Sequence, residues 1–307
     1  MSNNRRNSLD KVPVKSSVGR VVYSPVVVEY GSSQPPEVNE NLTFTVAAEA
    51  GQPFAYYARD AGTYDATIDW GDGTQLQSVT SYNDPNLTHT FPAQASYEVN
   101  ISGLFPAPGA ASPPSSPPSW DTITSVSNLG KLGYNNLQFA FARRTSLESF
   151  VSGNTDTSNI TRFDYMFLSS NNITNLDIST MDTSSAVGMA GMFNGCAFQG
   201  DIDVSNLDTS SVTSMQGMFA NSGTRDIIGL ENLNFESATN MSNFMVNSII
   251  PTSSYDKLLI SISNQNVNSG LGVNFGGSKY TPNSPASVAK DYLLNVKNWA
   301  ISDGGPA

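Results

Sequence analysis

The chain is poor in residue types on which many catalytic and nucleic-acid-binding sites depend. It has one cysteine, Cys196, and one histidine, His89, among 307 residues. A single cysteine excludes an intramolecular disulfide, and a single histidine excludes a cysteine–histidine zinc cluster and any Ser-His-Asp set away from His89. Basic residues are also few: 15 Lys and Arg stand against 26 Asp and Glu, a net charge of −11. This charge would repel phosphate backbones, so we predict no nucleic-acid partner.

Long apolar runs are missing as well. No stretch is long enough to span a bilayer, so we predict no membrane insertion. Residues 1–36 contain neither the apolar run of a signal peptide nor a lipobox cysteine, so we expect no conventional export signal. No glycine-rich phosphate loop precedes a predicted helix. We therefore predict a chain that is not an enzyme and has no cofactor.

What the sequence does have is internal repetition. Four segments align at a spacing of 26 residues, and they begin at Asp156, Asp182, Asp208 and Asn234. They read DTSNITRFDYMF, DTSSAVGMAGMF, DTSSVTSMQGMF and NFESATNMSNFM. A fixed period in this range is typical of a solenoid, in which each copy buries its apolar face against its neighbours.

Each copy has two halves with different apolar spacing. In the third copy Val212, Met215 and Phe219 recur at helical spacing, and the Asp-Thr-Ser cluster before them predicts a helix cap or turn. The second half has pairs two residues apart, such as Ile202 and Val204, which predict strands that pair in parallel with their equivalents. Cys196 lies beside the apolar stripe of its copy, so we predict a buried side chain rather than a reactive thiol.

The stretch MFNGCAFQGDIDVSNLDTSSVTSMQGMF, residues 192–219, resembles the BspA-like surface leucine-rich repeats, also called mycoplasma-lipoprotein-type repeats. The usual family unit has Trp where this chain has Met181, Leu207 and Leu233. YDKLLISISNQNVNSGLGVNFGGSKY and the residues after it resemble the closing segment of these proteins. The residues of this segment predict two helices: one has the apolar stripe Tyr255, Leu258, Leu259 and Ile262, and the other begins at Pro285 with the stripe Val288, Tyr292, Val296 and Trp299. The resemblance covers residues 120–304 and implies an α/β leucine-rich-repeat solenoid with a C-terminal cap.

The N-terminal half alternates like β-strands, in LTFTVAA, YDATIDW and YEVNISG. The turn WGDGT, followed by HTF and by Tyr97-Glu98-Val99, resembles a polycystic-kidney-disease (PKD) domain, an immunoglobulin-like β-sandwich. Such a sandwich would serve as a spacer or a protein-contact module. His89, within HTF, is predicted to make a structural hydrogen bond rather than to act as a base.

The predicted fold is therefore mixed, a β-sandwich followed by an α/β solenoid. The predicted division of the chain is an N-terminal arm at 1–36, a PKD-like sandwich at 37–104, a proline-rich linker or loop at 105–119, a leucine-rich-repeat solenoid at 120–250 and a cap at 251–307. The valine-rich arm could add a strand to a neighbouring subunit or tether the chain to a shell. The alternative for the arm is a disordered or locally docked tail.

Three polar residues on the predicted parallel-strand face, Asn175, Asp177 and Asp203, are the candidate contact surface. The two aspartates hold equivalent places in adjacent copies, and stacked like charges are unfavourable unless they are solvated or bridged by a cation. A solvated row and a calcium site are the two alternatives. No catalytic, cofactor-binding or metal-ligating residue is assigned, although paired carboxylates can in principle hydrolyse glycosides.

A surface-type repeat protein without an export signal fits a particle assembled inside the cell. We expect a non-enzymatic virion protein, a bacteriophage capsid decoration or tail appendage on the outer surface of the particle. Its partners would be other virion subunits through the arm, a host surface protein or glycan, or further copies of itself in a homo-oligomer. The alternatives are a bacterial cell-surface adhesin and, third, a carbohydrate-active enzyme.

Overall fold

The computed structural model describes residues 11–15, 21–25, 40–109, 122–196 and 200–307. The chain divides into two compact units, Met1–Val38 and Asn39–Ala307. In the first unit, β1 (Lys11–Lys15) pairs antiparallel with β2 (Val21–Pro25) to form a hairpin. The rest of the predicted arm and residues 110–119 of the predicted linker lie outside the described residues.

The second unit is built mainly from short strands. In chain order they are β3 (Leu42–Ala48), β4 (Pro53–Ala55), β5 (Asp65–Asp69), β6 (Gln77–Val79), β7 (Thr88–Thr90), β8 (Ala95–Leu104), β9 (Ile123–Asn128), β10 (Ser149–Val151), β11 (Asn175–Asp177), β12 (Ile202–Asp203), β13 (Gly223–Thr224), β14 (Ile227–Ile228), β15 (Ser248–Ile249), β16 (Gly272–Asn274) and β17 (Ala300–Ser302). Two α-helices follow residue 251 in the described chain, α1 (Thr252–Ser263) and α2 (Pro285–Asn295).

A seven-stranded mixed sheet is the largest element, with the spatial order β11-β10-β9-β3-β8-β5-β6. The pairs among β9, β10 and β11 are parallel, and the remaining pairs of this sheet are antiparallel. Phe44 on β3 is buried and lies in register between Val99 of β8 and Val126 of β9. The sheet therefore joins the N-terminal strands directly to the region of the repeats.

Smaller two-stranded sheets complete the strand pairing. β4 pairs antiparallel with β7, whereas β12 with β14, β13 with β15 and β16 with β17 are parallel pairs. Parallel pairing of segments about one repeat apart was predicted from the sequence for the Ile202 and Ile228 segments, and the β12–β14 pair shows it there. The β13–β15 pair has similar spacing but lies outside the predicted strands.

The two helices form where the sequence predicted them. In α1, the predicted stripe is buried, with Tyr255, Leu258, Leu259 and Ile262 facing the core. Helix α2 begins at Pro285, and the Ser284 hydroxyl accepts hydrogen bonds from the backbone N–H groups of Ala286 and Ser287.

The predicted stripe of α2 was partly wrong. Val288 and Val296 are 69% and 64% exposed, and the helix instead buries Ala286, Ala289 and Leu293. Trp299, predicted on the same stripe, is buried beyond the end of the helix.

The predicted fold class, a separate immunoglobulin/PKD-like sandwich followed by an α/β leucine-rich-repeat solenoid, is wrong. The described chain is mostly β, with one large mixed sheet that includes strands from both predicted regions. Neither of the two α-helices lies in the segments predicted to be repeat helices.

Backbone conformation explains why those segments are not helical. Each contains residues with positive φ, among them Tyr165 at 58°, Gly191 at 59° and Gly217 at 61°. A left-handed residue interrupts a right-handed α-helix. Their N–H groups instead donate to carbonyls 25 residues later: Gly191 donates to Gln216 at 2.8 Å and Gly217 to Ser242 at 3.0 Å. These bonds replace the i to i−4 bonds that a helix needs.

The 26-residue spacing of the sequence does recur in the contacts between side chains. Buried phenylalanines at this spacing stack on one another, with ring centroids 5.8 Å apart for Phe167 and Phe193 and 5.5 Å apart for Phe193 and Phe219. Phe141 continues the row at 5.9 Å from Phe167. We refer to these four rings as the phenylalanine row. The equal spacing in sequence thus places equivalent apolar residues in contact.

The WGDGT turn is closed by a buried carboxylate. Asp72 has a fully buried side chain that accepts hydrogen bonds from the Thr74 hydroxyl and N–H group, and its Oδ2 lies 2.7 Å from His89 Nε2. The His89 ring stacks on Trp70 at 4.9 Å. Gly71 is required at this turn, because its φ is 73° and a Cβ there would overlap the backbone oxygen of Glu98. The predicted structural role of His89 is confirmed.

This carboxylate should make the turn sensitive to acid. Burial raises the pKa of Asp72, but the hydrogen bonds from Thr74 and His89 outweigh burial and lower the pKa below its ordinary value of 3.8. Because the folded-state pKa is depressed, its stabilisation is present above that ordinary value and is lost as the pH falls through the folded pKa.

We expect Asp72→Ala to lower the free energy of unfolding at neutral pH by about 1–3 kcal/mol, since it removes the acceptor of the buried His89 ring and of the two Thr74 donors. Urea denaturation followed by tryptophan fluorescence, repeated between about pH 7 and pH 3, measures both effects. The difference in the free energy of unfolding between the wild-type chain and Asp72→Ala should shrink as the pH falls. An equal loss at every pH would contradict this role for the Asp72 carboxylate. Asp69→Ala, which removes only an exposed turn hydrogen bond to Gly71, is the matched control.

Candidate functional site

A small groove of about 190 Å³ lies in the region of the repeats. Its lining consists of uncharged side chains and one aromatic ring: Tyr165, Asn194, Gln216, Gly217, Ala220, Asn221, Asn243 and Val246. We call it the amide groove. Its lining residues come from successive copies of the repeat, so the groove depends on contacts between copies.

The groove lies at a column of equivalent positions in which one glycine, Gly217, leaves space open. Phe139, Tyr165, Gly191, Gly217 and Asn243 are spaced by 26 residues, and all five have positive φ. The first two rings stack with centroids 5.1 Å apart. Two glycines follow in the same row, and Asn243 comes after them. Of the two glycines, Gly217 leaves a depression between the Tyr165 ring and Asn243.

The two glycines are not equivalent in space. A Cβ at Gly191 would overlap the Tyr165 ring, so the ring covers this residue. A Cβ at Gly217 would meet its nearest neighbour, Asn194 Nδ2, at 3.5 Å, an ordinary van der Waals distance. Gly191 is therefore required for the packing of Tyr165, whereas Gly217 leaves open space within the groove.

Amide side chains in the lining are hydrogen-bonded to one another and to amides beside the groove, Asn240 and Asn247. Asn221 Nδ2 donates to Asn194 Oδ1 at 3.1 Å, and Asn247 Nδ2 donates to Asn221 Oδ1 at 2.9 Å. Asn240 Nδ2 donates to Gln216 Oε1 at 3.1 Å. These bonds orient the amide side chains at the surface. Each amide NH₂ carries a second hydrogen, and each oxygen a second lone pair, so these amides can still bond a ligand.

The chemistry available in the groove is recognition rather than proton transfer. Of the described residues that line it, none is a carboxylate, histidine, lysine or cysteine. Amides can donate and accept hydrogen bonds, and Val246 and the Tyr165 ring offer apolar contact. The arrangement suits an uncharged ligand that carries both hydroxyl and C–H groups.

The residues predicted as the contact surface lie elsewhere. Asn175 and Asp177 are on β11 and Asp203 is on β12, and the two aspartates line one shallow depression together with Ser179 and Ser205. Asn175 Nδ2 donates to Ser149 Oγ at 3.0 Å, across the β10–β11 pair. The structure thus brings Asp177 and Asp203 together, but not with the amide groove. Their contact role stays a prediction.

Both aspartate side chains accept local hydrogen bonds. Ser179 N–H donates to Asp177 Oδ1 at 3.0 Å, and Ser205 N–H donates to Asp203 Oδ1 at 2.9 Å. Hydrogen bonds from Ser179 lower the pKa of Asp177 below its ordinary value. No group of three or more His, Cys, Asp or Glu residues that could hold a metal occurs among the described residues. A calcium site remains an untested prediction.

Two further predictions from the repeats are confirmed. Asp156, Asp182 and Asp208 each accept a hydrogen bond from the N–H group two residues later, at 3.2, 2.9 and 2.9 Å, so they form turns. Cys196 is fully buried, and burial raises the pKa of its thiol to about 12. Its Sγ lies 2.6 Å from the Phe167 carbonyl oxygen, so it is a structural residue.

The amide groove was not predicted from the sequence, although a signal was present. Aligning the repeats at 26 residues places Tyr165, Gly191, Gly217 and Asn243 in one column, and a change from aromatic to glycine within a column marks a local loss of volume. The nearly regular spacing of Asn194, Asn221 and Asn247 is the second signal.

Comparison with known protein families gives a partial match. Residues 135–256 match the family described as "Mycoplasma protein of unknown function, DUF285". The matched part fits a mycoplasma-type repeat protein. It covers less than half of the chain and includes the whole lining of the amide groove. The comparisons give no support to the PKD or bacteriophage resemblances.

No curated protein and no solved structure matches the chain. In the part of the chain that the structure describes, no helix combines the length and apolar character needed to cross a membrane.

Proposed function

We propose that the chain is a non-enzymatic display protein that presents the amide groove for contact with a partner on another surface. The observation that supports this proposal is the groove's lining, which is uncharged and held in place by its own hydrogen bonds. Preorganised side chains lose little conformational freedom on binding, which favours recognition.

The proposed setting is the outer surface of a virion, as a bacteriophage capsid decoration or tail appendage. The N-terminal hairpin supports an anchoring role, because a two-stranded sheet has two outer edges that can accept a further strand. The hairpin also belongs to a unit of its own, Met1–Val38. In this proposal the hairpin contacts other virion subunits and the second unit carries the groove.

Incorporation into particles tests this anchoring role. Val14 in β1 pairs with Val22 in β2, and Val14→Pro removes a backbone donor and disrupts the pair. We expect mass spectrometry of purified intact particles to detect the wild-type chain, and the number of Val14→Pro copies per particle to fall more than about tenfold. Val14→Thr retains the donor and the β propensity and should be incorporated normally.

Two results would count against the proposal. Absence of the wild-type chain from intact particles would reject the virion setting. Normal incorporation of Val14→Pro would reject the hairpin as the anchor.

The second candidate is a bacterial cell-surface adhesin; the match to a Mycoplasma family of unknown function supports the bacterial origin in this alternative. Neighbouring genes distinguish the two settings: capsid or tail genes favour the virion, and a secretion cassette favours the adhesin. The groove would have the same binding role in either setting. The third alternative, a carbohydrate-active enzyme built on Asp177 and Asp203, requires that bound glycan be cleaved.

A further inference from the structure

We infer that the amide groove binds a neutral oligosaccharide. This inference names the ligand class of the proposed display function and rests on that function. It is drawn from three features of the groove: the absence of charge in its lining, the arrangement of its amides and the position of Tyr165 beside apolar side chains.

The lining favours an uncharged ligand. A bound sulfate, phosphate or sialic acid would need a cationic partner, and a bound ammonium group would need a carboxylate. None of the eight described lining residues supplies either. The net charge of −11 further disfavours a polyanionic ligand.

The amides match the hydroxyl groups of a sugar. A planar amide presents a donor and an acceptor side by side, and each sugar hydroxyl can both donate and accept. In the row from Asn194 through Asn221 to Asn247, each bond polarises its neighbour and holds its orientation. Adjacent hydroxyls on one ring can therefore bond to side chains that do not need to reorder.

The apolar part of the groove matches the C–H faces of a sugar ring. Tyr165 lies at one end of the groove, and Val246 contributes apolar surface. The Tyr165 ring is held by stacking on Phe139 and by its position over Gly191. A rigid aromatic ring beside fixed amides provides both kinds of contact that a neutral sugar requires.

A peptide bound through its backbone is disfavoured by the same geometry. Such a ligand pairs with unsatisfied backbone groups at a strand edge. Here the N–H group of Gly217 already donates to Ser242 O at 3.0 Å, and that of Asn221 donates to Val246 O at 2.8 Å. Recognition in the groove must therefore come mainly from side chains.

The small volume of the groove sets the expected affinity. At about 190 Å³ it is smaller than a typical small-molecule pocket, so we expect a dissociation constant of about 1 mM for a single chain. Display of many copies on one surface would raise the apparent affinity by avidity.

Filling the groove with one side chain tests the inference. Gly217 has a φ of 61°, and asparagine already adopts a φ of 56° at the equivalent Asn243, so Gly217→Asn should fold normally while occupying the open space. The matched control is Gly270→Asn, at a glycine with a φ of 76° and no neighbouring atom within 4 Å of a Cβ. Thermal unfolding of both variants checks that the fold is retained.

The probes are neutral oligosaccharides of glucose, mannose and N-acetylglucosamine, with a heparin fragment as the anionic comparison. Saturation-transfer NMR on the full chain should detect binding of at least one neutral probe. We expect Gly217→Asn to weaken this binding at least about tenfold and Gly270→Asn to leave it unchanged.

Different results test the inferred ligand class and the proposed display function. The inference is overturned if no neutral probe binds, if only heparin or a protein ligand binds, or if Gly217→Asn binds as tightly as Gly270→Asn. Chromatography of the recovered probe gives a separate readout. Cleavage of the probe would instead overturn the non-enzymatic display function, and the intact probe is the expected result.

Discussion

Replacing Asp303 with alanine is expected to lower the free energy of unfolding by about 3–5 kcal/mol. Lys290 Nζ lies 2.7 Å from Asp303 Oδ2, and these side chains are only 13% and 5% exposed. Tyr255 donates to the same carboxylate at 2.7 Å, and the Gly305 N–H donates to it at 3.0 Å. Without Asp303, the buried Lys290 ammonium, the Tyr255 hydroxyl and the Gly305 N–H group lose their acceptor. The cost of removing these groups from water is then no longer offset by their bonds to the carboxylate.

A double-mutant cycle with urea denaturation measures this effect. Lys290→Met removes the buried charge, so we expect the combination of Asp303→Ala with Lys290→Met to recover part of the loss caused by Asp303→Ala alone. Tyr255→Phe removes only one hydrogen bond and should cost about 1 kcal/mol. Additive losses in the double variant would contradict the coupling between Lys290 and Asp303.

The same cluster has a predictable alkaline limit. Burial raises the pKa of Tyr255 above its ordinary value of 10.0, and the hydrogen bond to Asp303 raises it further. Because the folded-state pKa is raised, its contribution to stability is complete below pH 10.0 and falls as the pH rises above that value. Tyr255→Phe should remove this part of the alkaline decline.

The helices of the C-terminal segment could be predicted because local signals and tertiary packing agree there. Pro285 after Ser284 marks the start of α2, and Tyr255 with Ile262 marks the buried stripe of α1. Val288 was misplaced because spacing alone cannot show which face of an amphipathic helix meets the core. The shorter apolar residues Ala286 and Ala289 occupy that face instead.

The segments of the repeats misled the prediction because their apolar spacing suits more than one backbone. Apolar residues three, six and seven positions apart share one face of a helix. The same spacing also suits a non-helical segment that has two positive-φ residues and donates its backbone hydrogen bonds to the next copy. Tyr165 and Phe139 at positive φ have no recognisable signal in a single copy, since bulky residues rarely adopt that conformation. Only Gly191 and Gly217, at the equivalent positions of later copies, indicate the positive φ in the sequence.

The predicted fold class, a β-sandwich followed by an α/β solenoid, was wrong for a topological reason. The strands from Leu42 to Leu104 could be predicted from the alternation of apolar and polar residues. This alternation does not show which other strands each of them pairs with. β3 pairs with β9 as well as β8, and this second pairing extends the sheet into the repeats. The groove likewise depends on which copies contact each other, so its lining could not be assigned from one copy alone.

Removing one ring from the phenylalanine row should have an effect comparable to that of Asp303→Ala. Phe193 is fully buried and stacks between Phe167 and Phe219, with interplanar angles of 5° and 10°. Phe193→Ala is expected to lower the free energy of unfolding by about 3–5 kcal/mol, through lost burial and the cavity that remains. Phe193→Leu retains most of the volume and should cost less than about 1.5 kcal/mol.

The position of Phe193 also connects stability to the proposed site. Phe193 immediately precedes Asn194, whose side chain accepts the first hydrogen bond of the amide row. The N–H group of Phe193 donates to Met218 O in the next copy at 2.9 Å. A cavity at Phe193 should therefore loosen the register between the copies that form the groove. Phe139→Ala, at a ring that is only partly buried, is the control and should destabilise less. Equal losses for Phe193→Ala and Phe139→Ala would show that the buried row is not what holds the copies together.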